Sequence, residues 1–323
     1  MIEFENVTKV YPDGTRAVEN LSFRVEEGTT TVLVGPSGCG KTTTMKLVNR
    51  LEEPTEGTVY YDGTDTQTLD ATDLRREIGY VIQEVGLFDH MTVGENVATV
   101  PELKGWERER IDERVEELLE LVDLPPEEYR DQYPTALSGG QRQRVGVARA
   151  LAADPNVLLM DEPFGALDPI TREDLQDEFL EIQEKIHTTI LFVTHSIDEA
   201  LKMGDRIAIF DMGELVQYGT PNEILSRPAN GFVEEFIGDD RTLKRLGLIR
   251  VEEVMEPVAD GEIRAVDDEP SAGVVAPEIT LDSALSRMVQ EDVDALSVRD
   301  GDGRLVGRLT RERIQSTQRA HTE

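Results

Sequence analysis

The sequence predicts an α/β chain: a mostly parallel sheet with covering helices over residues 1–237, joined to a small α+β tail. Three observations point there. Strand-like and helix-like patterns alternate through the first 237 residues, as strand–helix–strand crossovers produce. Four short apolar runs lie in that region, and strands buried on both faces read as continuous runs of this kind. From Val251 the composition changes: a Pro-, Gly- and acid-rich stretch, Met255 to Pro277, precedes a short pattern of strands and helix. Between the two regions, residues 238–250 read as a linker or connecting helix, charged and apolar by turns.

The first run, Thr29 to Val34, leads into Gly35-Pro36-Ser37-Gly38-Cys39-Gly40-Lys41-Thr42 and then a helical pattern. Strand, glycine-rich loop and helix in that order make a phosphate-binding loop. Its glycines let backbone N–H groups wrap phosphates, and the following helix points its positive end at them. Lys41 is placed to reach the β- and γ-phosphates, and Thr42 to hold Mg²⁺. The second run, Ile78 to Ile82, ends at Gln83. A helix is expected over Glu107 to Val122, with Ile111, Val115, Leu118, Leu119 and Val122 on one face and a solvated charged face opposite. The third run, Val157 to Met160, ends at Asp161-Glu162, and the fourth, Ile190 to Thr194, ends at His195. Ligands bind outside the carboxyl ends of parallel strands. Lys41, Thr42, Gln83, Asp161, Glu162 and His195 are therefore expected on one sheet edge. That set suits phosphoryl transfer to water: a carboxylate for Mg²⁺, one to orient the water, and polar groups for the γ-phosphate and the metal.

Bulk composition narrows the alternatives. The 323 residues suggest two domains at about 150 residues each. Asp and Glu number 66 against 33 Lys and Arg, a formal net charge of −33. Two explanations stay open at this point: a salt-adapted proteome, whose ions screen the self-repulsion, or a cationic partner. A nucleic-acid partner is disfavoured, because phosphate backbones call for a basic face. One cysteine, Cys39, allows no internal disulfide and suits a reducing compartment. The start, Met1-Ile2-Glu3-Phe4-Glu5, does not look like a signal peptide. No apolar run approaches the roughly 20 residues of a membrane helix, so work at a membrane would go through partners.

Leu137-Ser138-Gly139-Gly140-Gln141, ahead of a helix-like stretch from Arg142 to Ala152, names a family. The chain resembles the nucleotide-binding domains of ABC ATPases over residues 1–237. The resemblance implies an antiparallel N-terminal sheet, a helical subdomain carrying the signature, and ATP with Mg²⁺. It implies that Tyr11 stacks on adenine and that Gly35, Pro36, Ser37, Gly38, Cys39, Gly40, Lys41, Thr42 and Thr43 cradle the phosphates. It also implies a head-to-tail homodimer in which Ser138, Gly139, Gly140 and Gln141 meet the ATP of the opposite subunit, with Asp168 communicating across the pair. Thr42, Gln83 and Asp161 are implied at the metal, Glu162 as catalytic base and His195 as γ-phosphate switch. Ser196 departs from the pattern, since many relatives carry Asp there.

A finer resemblance is to importers of quaternary amines such as glycine betaine, choline or carnitine. It rests on Gly79 to Gln83, Gly86-Leu87-Phe88, Asn96 to Trp106 and Phe232 to Arg241. It implies permease subunits touching the region Gln83 to Phe88, an extracytoplasmic solute-binding protein, and a position on the cytoplasmic face of the plasma membrane. Residues 251–323 resemble CBS modules, the first shortened and acidic, the second at about 279–316, serving either as packing or as regulation. Competing readings are an importer for another solute such as amino acids, a soluble ABC ATPase acting on DNA or ribosomes, and a non-hydrolysing ATP-binding module. The single cassette and the presence of Glu162 and His195 argue against the last two.

Overall fold

The computed structural model describes residues 1–83, 86–165, 167–257 and 273–320. Glu84, Val85, Ala166 and residues 258–272 lie outside the described residues, and with them most of the acid-rich stretch and part of the expected permease contact. Two compact units emerge, Met1–Thr220 and Pro221–Glu323.

In chain order the first unit contains β1 (Ile2–Val10), β2 (Arg16–Val25), β3 (Thr30–Val34), α1 (Lys41–Val48), β4 (Glu56–Tyr61) and β5 (Thr64–Asp65). Then come α2 (Ala71–Glu77), β6 (Ile78–Val81), α3 (Val93–Leu103), α4 (Arg108–Leu121), α5 (Pro126–Tyr129) and α6 (Gly139–Leu151). The unit closes with β7 (Val157–Asp161), α7 (Pro169–Lys185), β8 (Thr189–Thr194), α8 (Ile197–Met203), β9 (Arg206–Asp211) and β10 (Glu214–Gly219).

Two sheets form. One has the order β2-β1-β4-β5 and is antiparallel throughout. Its strands alternate: Ile2 and Phe4 of β1 are buried, whereas Glu3 and Glu5 are exposed, so one face meets the core and the other water. Phe4 and Phe23 stack on that inner face with centroids 4.7 Å apart. The other sheet has the order β10-β9-β3-β8-β7-β6, parallel except for β10 at its edge. Every residue of β3, β7 and β8 is buried, as the continuous apolar runs require. Both sheets share one core, in which Leu33, Met45, Leu159, Leu191 and Phe210 pack with Val7, Leu21 and Val59.

Between β6 and β7 the chain detours through α3 to α6. The expected face of α4 is buried at Ile111, Val115, Leu118 and Leu119. The signature helix starts earlier than Arg142: α6 begins at Gly139, because Ser138 caps it. Ser138 Oγ accepts from Gln141 N at 3.2 Å, and Gln141 Oε1 accepts from Ser138 N at 2.8 Å. This reciprocal capping box satisfies helix-end donors that two glycines alone would leave to water.

The second unit contains α9 (Pro221–Ser226), α10 (Gly231–Ile237), α11 (Arg241–Leu246), α12 (Val251–Val254), β11 (Glu256–Pro257) and β12 (Val274–Val275). It ends with α13 (Leu281–Gln290), β13 (Ala295–Arg299), β14 (Leu305–Thr310) and α14 (Arg311–Ala320). The sheet order is β11-β14-β13-β12, and α13 carries the chain from β12 to the parallel β13. Asp300 organises the hairpin turn, its Oδ1 accepting from Asp302 N and Arg304 N, while Gly303 takes φ +78°. Leu246, Val251, Leu281, Met288, Leu296, Leu309 and Ile314 fill the core of this unit. Among the described residues no helix is long and apolar enough to cross a membrane.

Candidate active site

The carboxyl ends of four neighbouring parallel strands build the site. β3 runs into the glycine-rich loop. Lys41, buried at the start of α1, turns back on that loop, and its Nζ donates to the carbonyl oxygens of Gly35 (2.8 Å) and Pro36 (2.9 Å). Gly40 caps α1 with φ +100°, a left-handed conformation that L residues rarely adopt. Cys39 is buried in the loop with Sγ 3.7 Å from Lys41 Nζ. Burial pushes its thiol up, against the pull of the Lys41 charge, so it is not a poised nucleophile. Pro36, Ser37 and Gly38 are exposed at the loop tip.

Thr42 Oγ1 donates to Asp161 Oδ1 at 2.9 Å, joining the loop to the end of β7. Burial raises the Asp161 carboxyl above its ordinary range, while the Thr42 hydrogen bond and the charges of Lys46 and Lys41 pull it back. A desolvated carboxylate beside a hydroxyl is the kind of hard-oxygen pair that Mg²⁺ takes together with substrate phosphates, so these residues fit that ion. The next residue, Glu162, has φ +47° and donates its N–H to Val193 O of β8 at 2.9 Å. A non-glycine residue held left-handed typically stores about 1–3 kcal/mol, and here the turn aims the side chain out over the sheet edge. Gln83 Nε2, just past β6, lies 3.4 Å from Glu162 Oε2, and His195 Nδ1, just past β8, lies 3.3 Å from the same oxygen. The structure thus brings together the six residues expected at this edge.

Tyr11, between β1 and β2, reaches the same end of α1: its hydroxyl lies 3.4 Å from Thr43 Oγ1, and Lys9 Nζ sits 5.1 Å from its ring centroid. An aromatic face bordering a phosphate loop can stack on a purine. The signature residues lie elsewhere. Gly139 and Gly140 face Leu167 and the start of α7: a Cβ added at Gly139 would lie 3.7 Å from Leu167 Cδ2, and one at Gly140 3.3 Å from Thr171 Cγ2. Among the described residues, no hydrogen bond or ion pair joins Ser138, Gly139, Gly140 or Gln141 to the glycine-rich loop. Asp168 caps α7 by accepting from Thr171 N at 3.1 Å, and hydrogen bonds from Thr171 hold its carboxyl below the ordinary range.

The backbone from Phe88 to Thr92 is held by a residue that stands out in the sequence only within the longer stretch Asn96 to Trp106. Asn96, fully buried on α3, donates Nδ2 to the carbonyl oxygens of Phe88, Met91 and Thr92 and accepts from Phe88 N at 2.8 Å. Phe88 itself stays exposed, with the Arg149 guanidinium 5.8 Å from its ring. Ser196 has a role of its own: its Oγ caps α8 by accepting from Glu199 N. A serine serves there as well as an aspartate, since both are good N-caps. Glu199, buried beneath the His195 turn, is marked in the sequence only by the spacing Ser196-x-x-Glu199, although it makes no reciprocal bond to Ser196 N, which donates to Thr194 Oγ1 instead.

A family model described as ABC transporter matches residues 18–165. The chain is 47% identical over 320 residues to the osmoprotectant import ATP-binding protein OsmV of Salmonella typhimurium, covering 98% of this chain and 81% of that one. It is 48% identical over 322 residues to the glycine betaine/carnitine/choline transport ATP-binding protein OpuCA of Bacillus subtilis, covering 99% and 80%. Among solved structures, the dimeric post-hydrolysis state of the ATP-binding cassette MJ0796 bound to ADP and Pi aligns with TM-score 0.62 and 35% identity, covering 68% of this chain and 99% of that one. With a glycine-rich loop, a paired carboxylate edge and a capped signature helix in place, this chain belongs to the family of ABC transporter ATP-binding proteins.

Proposed function

We propose that this chain is the ATP-hydrolysing subunit of an importer for a quaternary-amine osmoprotectant of the glycine betaine, choline or carnitine type. The observation that carries the reading is the convergence of Lys41, Thr42, Gln83, Asp161, Glu162 and His195 on one sheet edge. The transport class rests on similarity to relatives that are 46–49% identical and whose names include those solutes. Lys41 exchanges the carbonyls of Gly35 and Pro36 for the β- and γ-phosphates of ATP. Glu162 takes the proton of the attacking water; the water oxygen bonds the γ-phosphorus as the bond to the β–γ bridging oxygen breaks, leaving ADP and phosphate. Gln83 and His195 orient the γ-phosphate end. Thr42, Asp161 and Gln83 would hold Mg²⁺, which neutralises phosphate charge when bound. Among the described residues, Ser138, Gly139, Gly140 and Gln141 make no hydrogen bond to their own phosphate loop, which supports a head-to-tail homodimer in which they complete the partner's site.

Permease subunits dock on the segment around Gln83 and Phe88, and a solute-binding protein on the far side of the membrane delivers the cargo. The chain then sits peripherally on the cytoplasmic face of the plasma membrane. By resemblance the nucleotide-binding domain runs to about residue 237, followed by a connecting segment over 238–250 that contains α11, and a CBS-like domain over 251–323, read as regulatory. Uptake of radiolabelled glycine betaine tests this in cells carrying the wild-type gene, a deletion, or Glu162→Gln. Loss in both mutants is expected; uptake that survives the deletion assigns another solute, amino acids being next to try. In the same assay, removing Val251 to Glu323 should abolish stimulation by salt, whereas unchanged stimulation would make the tail a packing appendage.

The net charge of −33 is read as salt adaptation. Screening then relieves self-repulsion, and the melting midpoint of the purified protein should rise with KCl up to about molar concentrations. A midpoint that falls with KCl would refute it.

A further inference from the structure

Beneath the His195 turn lies a buried polar cluster that the hydrolysis scheme does not use. Glu199 of α8 is 8% exposed, Thr194 at the end of β8 is 1% exposed and Gln176 of α7 is 7% exposed. Glu199 Oε2 accepts from the Thr194 hydroxyl, and Thr194 Oγ1 accepts from Ser196 N at 3.0 Å, so this pair clamps the backbone on both sides of His195. The other carboxylate oxygen, Oε1, accepts from Gln176 Nε2 at 3.1 Å and lies 3.9 Å from Arg172 Nε. Arg172 in turn donates Nε to Phe164 O at 3.2 Å and a terminal nitrogen to Leu167 O at 3.1 Å. Phe164 follows Glu162 by two residues, and Leu167 precedes Asp168.

We infer that Glu199 is a positioning residue for ATP hydrolysis: its carboxylate ties the His195 turn to α7 and, through Arg172, to the carbonyls of Phe164 and Leu167. The inference rests on the ATPase reading. A buried carboxylate is costly unless its partners are in place, and here both oxygens have partners on different elements. The turn, the loop and the start of α7 are then registered to one group, and the reacting edge keeps its spacing as a unit. Arrangements of this kind matter most when geometry must be held to a fraction of an ångström.

The test compares steady-state hydrolysis by the full chain with that of Glu199→Gln, which preserves size and most hydrogen bonding but removes the charge facing Arg172. We expect kcat per folded molecule to fall about tenfold or more, the usual effect of losing an orienting partner, with KM for ATP within about twofold. Arg172→Met, which breaks the same link from the partly exposed side, should reproduce that split if Glu199→Gln folds poorly. Combining Glu199→Gln with Thr194→Val should cost no more than the worse single change, since both act on one turn. A merely structural role predicts a lower melting midpoint with kcat per folded molecule unchanged, and that result, or effects that multiply, overturns the inference. A wild-type chain without Mg²⁺-dependent turnover would instead sink the ATPase reading beneath it.

Discussion

Glu162→Gln should stop ATP turnover while leaving ATP binding intact. A general base contributes about 10²–10⁴-fold, so kcat should fall by that much. The substitution changes little else. Glutamine fits the same turn, accepts the left-handed backbone at φ +47° at similar cost, and can still present an oxygen to Gln83 Nε2. Lys41, Thr42 and the loop glycines, which hold the phosphates, are untouched. Single-turnover phosphate release and equilibrium binding of a fluorescent ATP analogue separate the two effects. Bound nucleotide hydrolysed within about tenfold of the wild-type rate would remove Glu162 from the role of base, because no other loss of that carboxylate is so selective.

Gly40→Ala should be the second large effect, and it should strike binding. Gly40 has φ +100°, and a Cβ there would lie 2.1 Å from the carbonyl oxygen of Ala17 in β2. Backbone, not a flexible side-chain end, is in the way, so either β2 or the loop must move. Lys41 and Thr42 follow Gly40 directly, and a shift of about 1 Å at this point costs on the order of 100-fold in a positioned site. ATP affinity should therefore drop at least that much, with a lower melting midpoint. Gly38→Ala supplies the control. Gly38 shares the left-handed backbone, φ +82°, but its Cβ would meet nothing within 4 Å. It carries strain alone, about 1–3 kcal/mol, and should lose much less affinity. Equal losses in both variants would mean that strain, not the contact with Ala17, decides.

Much of this architecture could be read from the chain itself. The apolar runs at Thr29, Ile78, Val157 and Ile190 became β3, β6, β7 and β8 with ends shifted by one residue, because burial on both faces leaves a continuous pattern that few other structures tolerate. The polar residues that stop those runs marked the site edge for the same reason. The amphipathic face of α4 was equally legible, since a period of 3.6 survives in the order of residues. The start of α6 was not, because glycines argue against a helix and only the cap formed by Ser138 and Gln141 overrides them.

The order of residues alone identifies those that stand at the strand ends and the chemistry they can perform. How they meet emerges from the folded chain: Glu162 turns left-handed to face Gln83 and His195, Asn96 is buried to hold the Phe88 backbone, Gly40 lies against Ala17, and Glu199 bonds the His195 turn rather than closing a cap. The difference is one of range and of burial. Periodicity and capping act between residues a few positions apart, whereas the meeting of Glu162 with Gln83 and His195 joins the ends of β6, β7 and β8, neighbours in the sheet but far apart in the chain; Asn96 and Glu199 bond residues near in the chain, but the burial that makes those bonds matter comes from the fold around them.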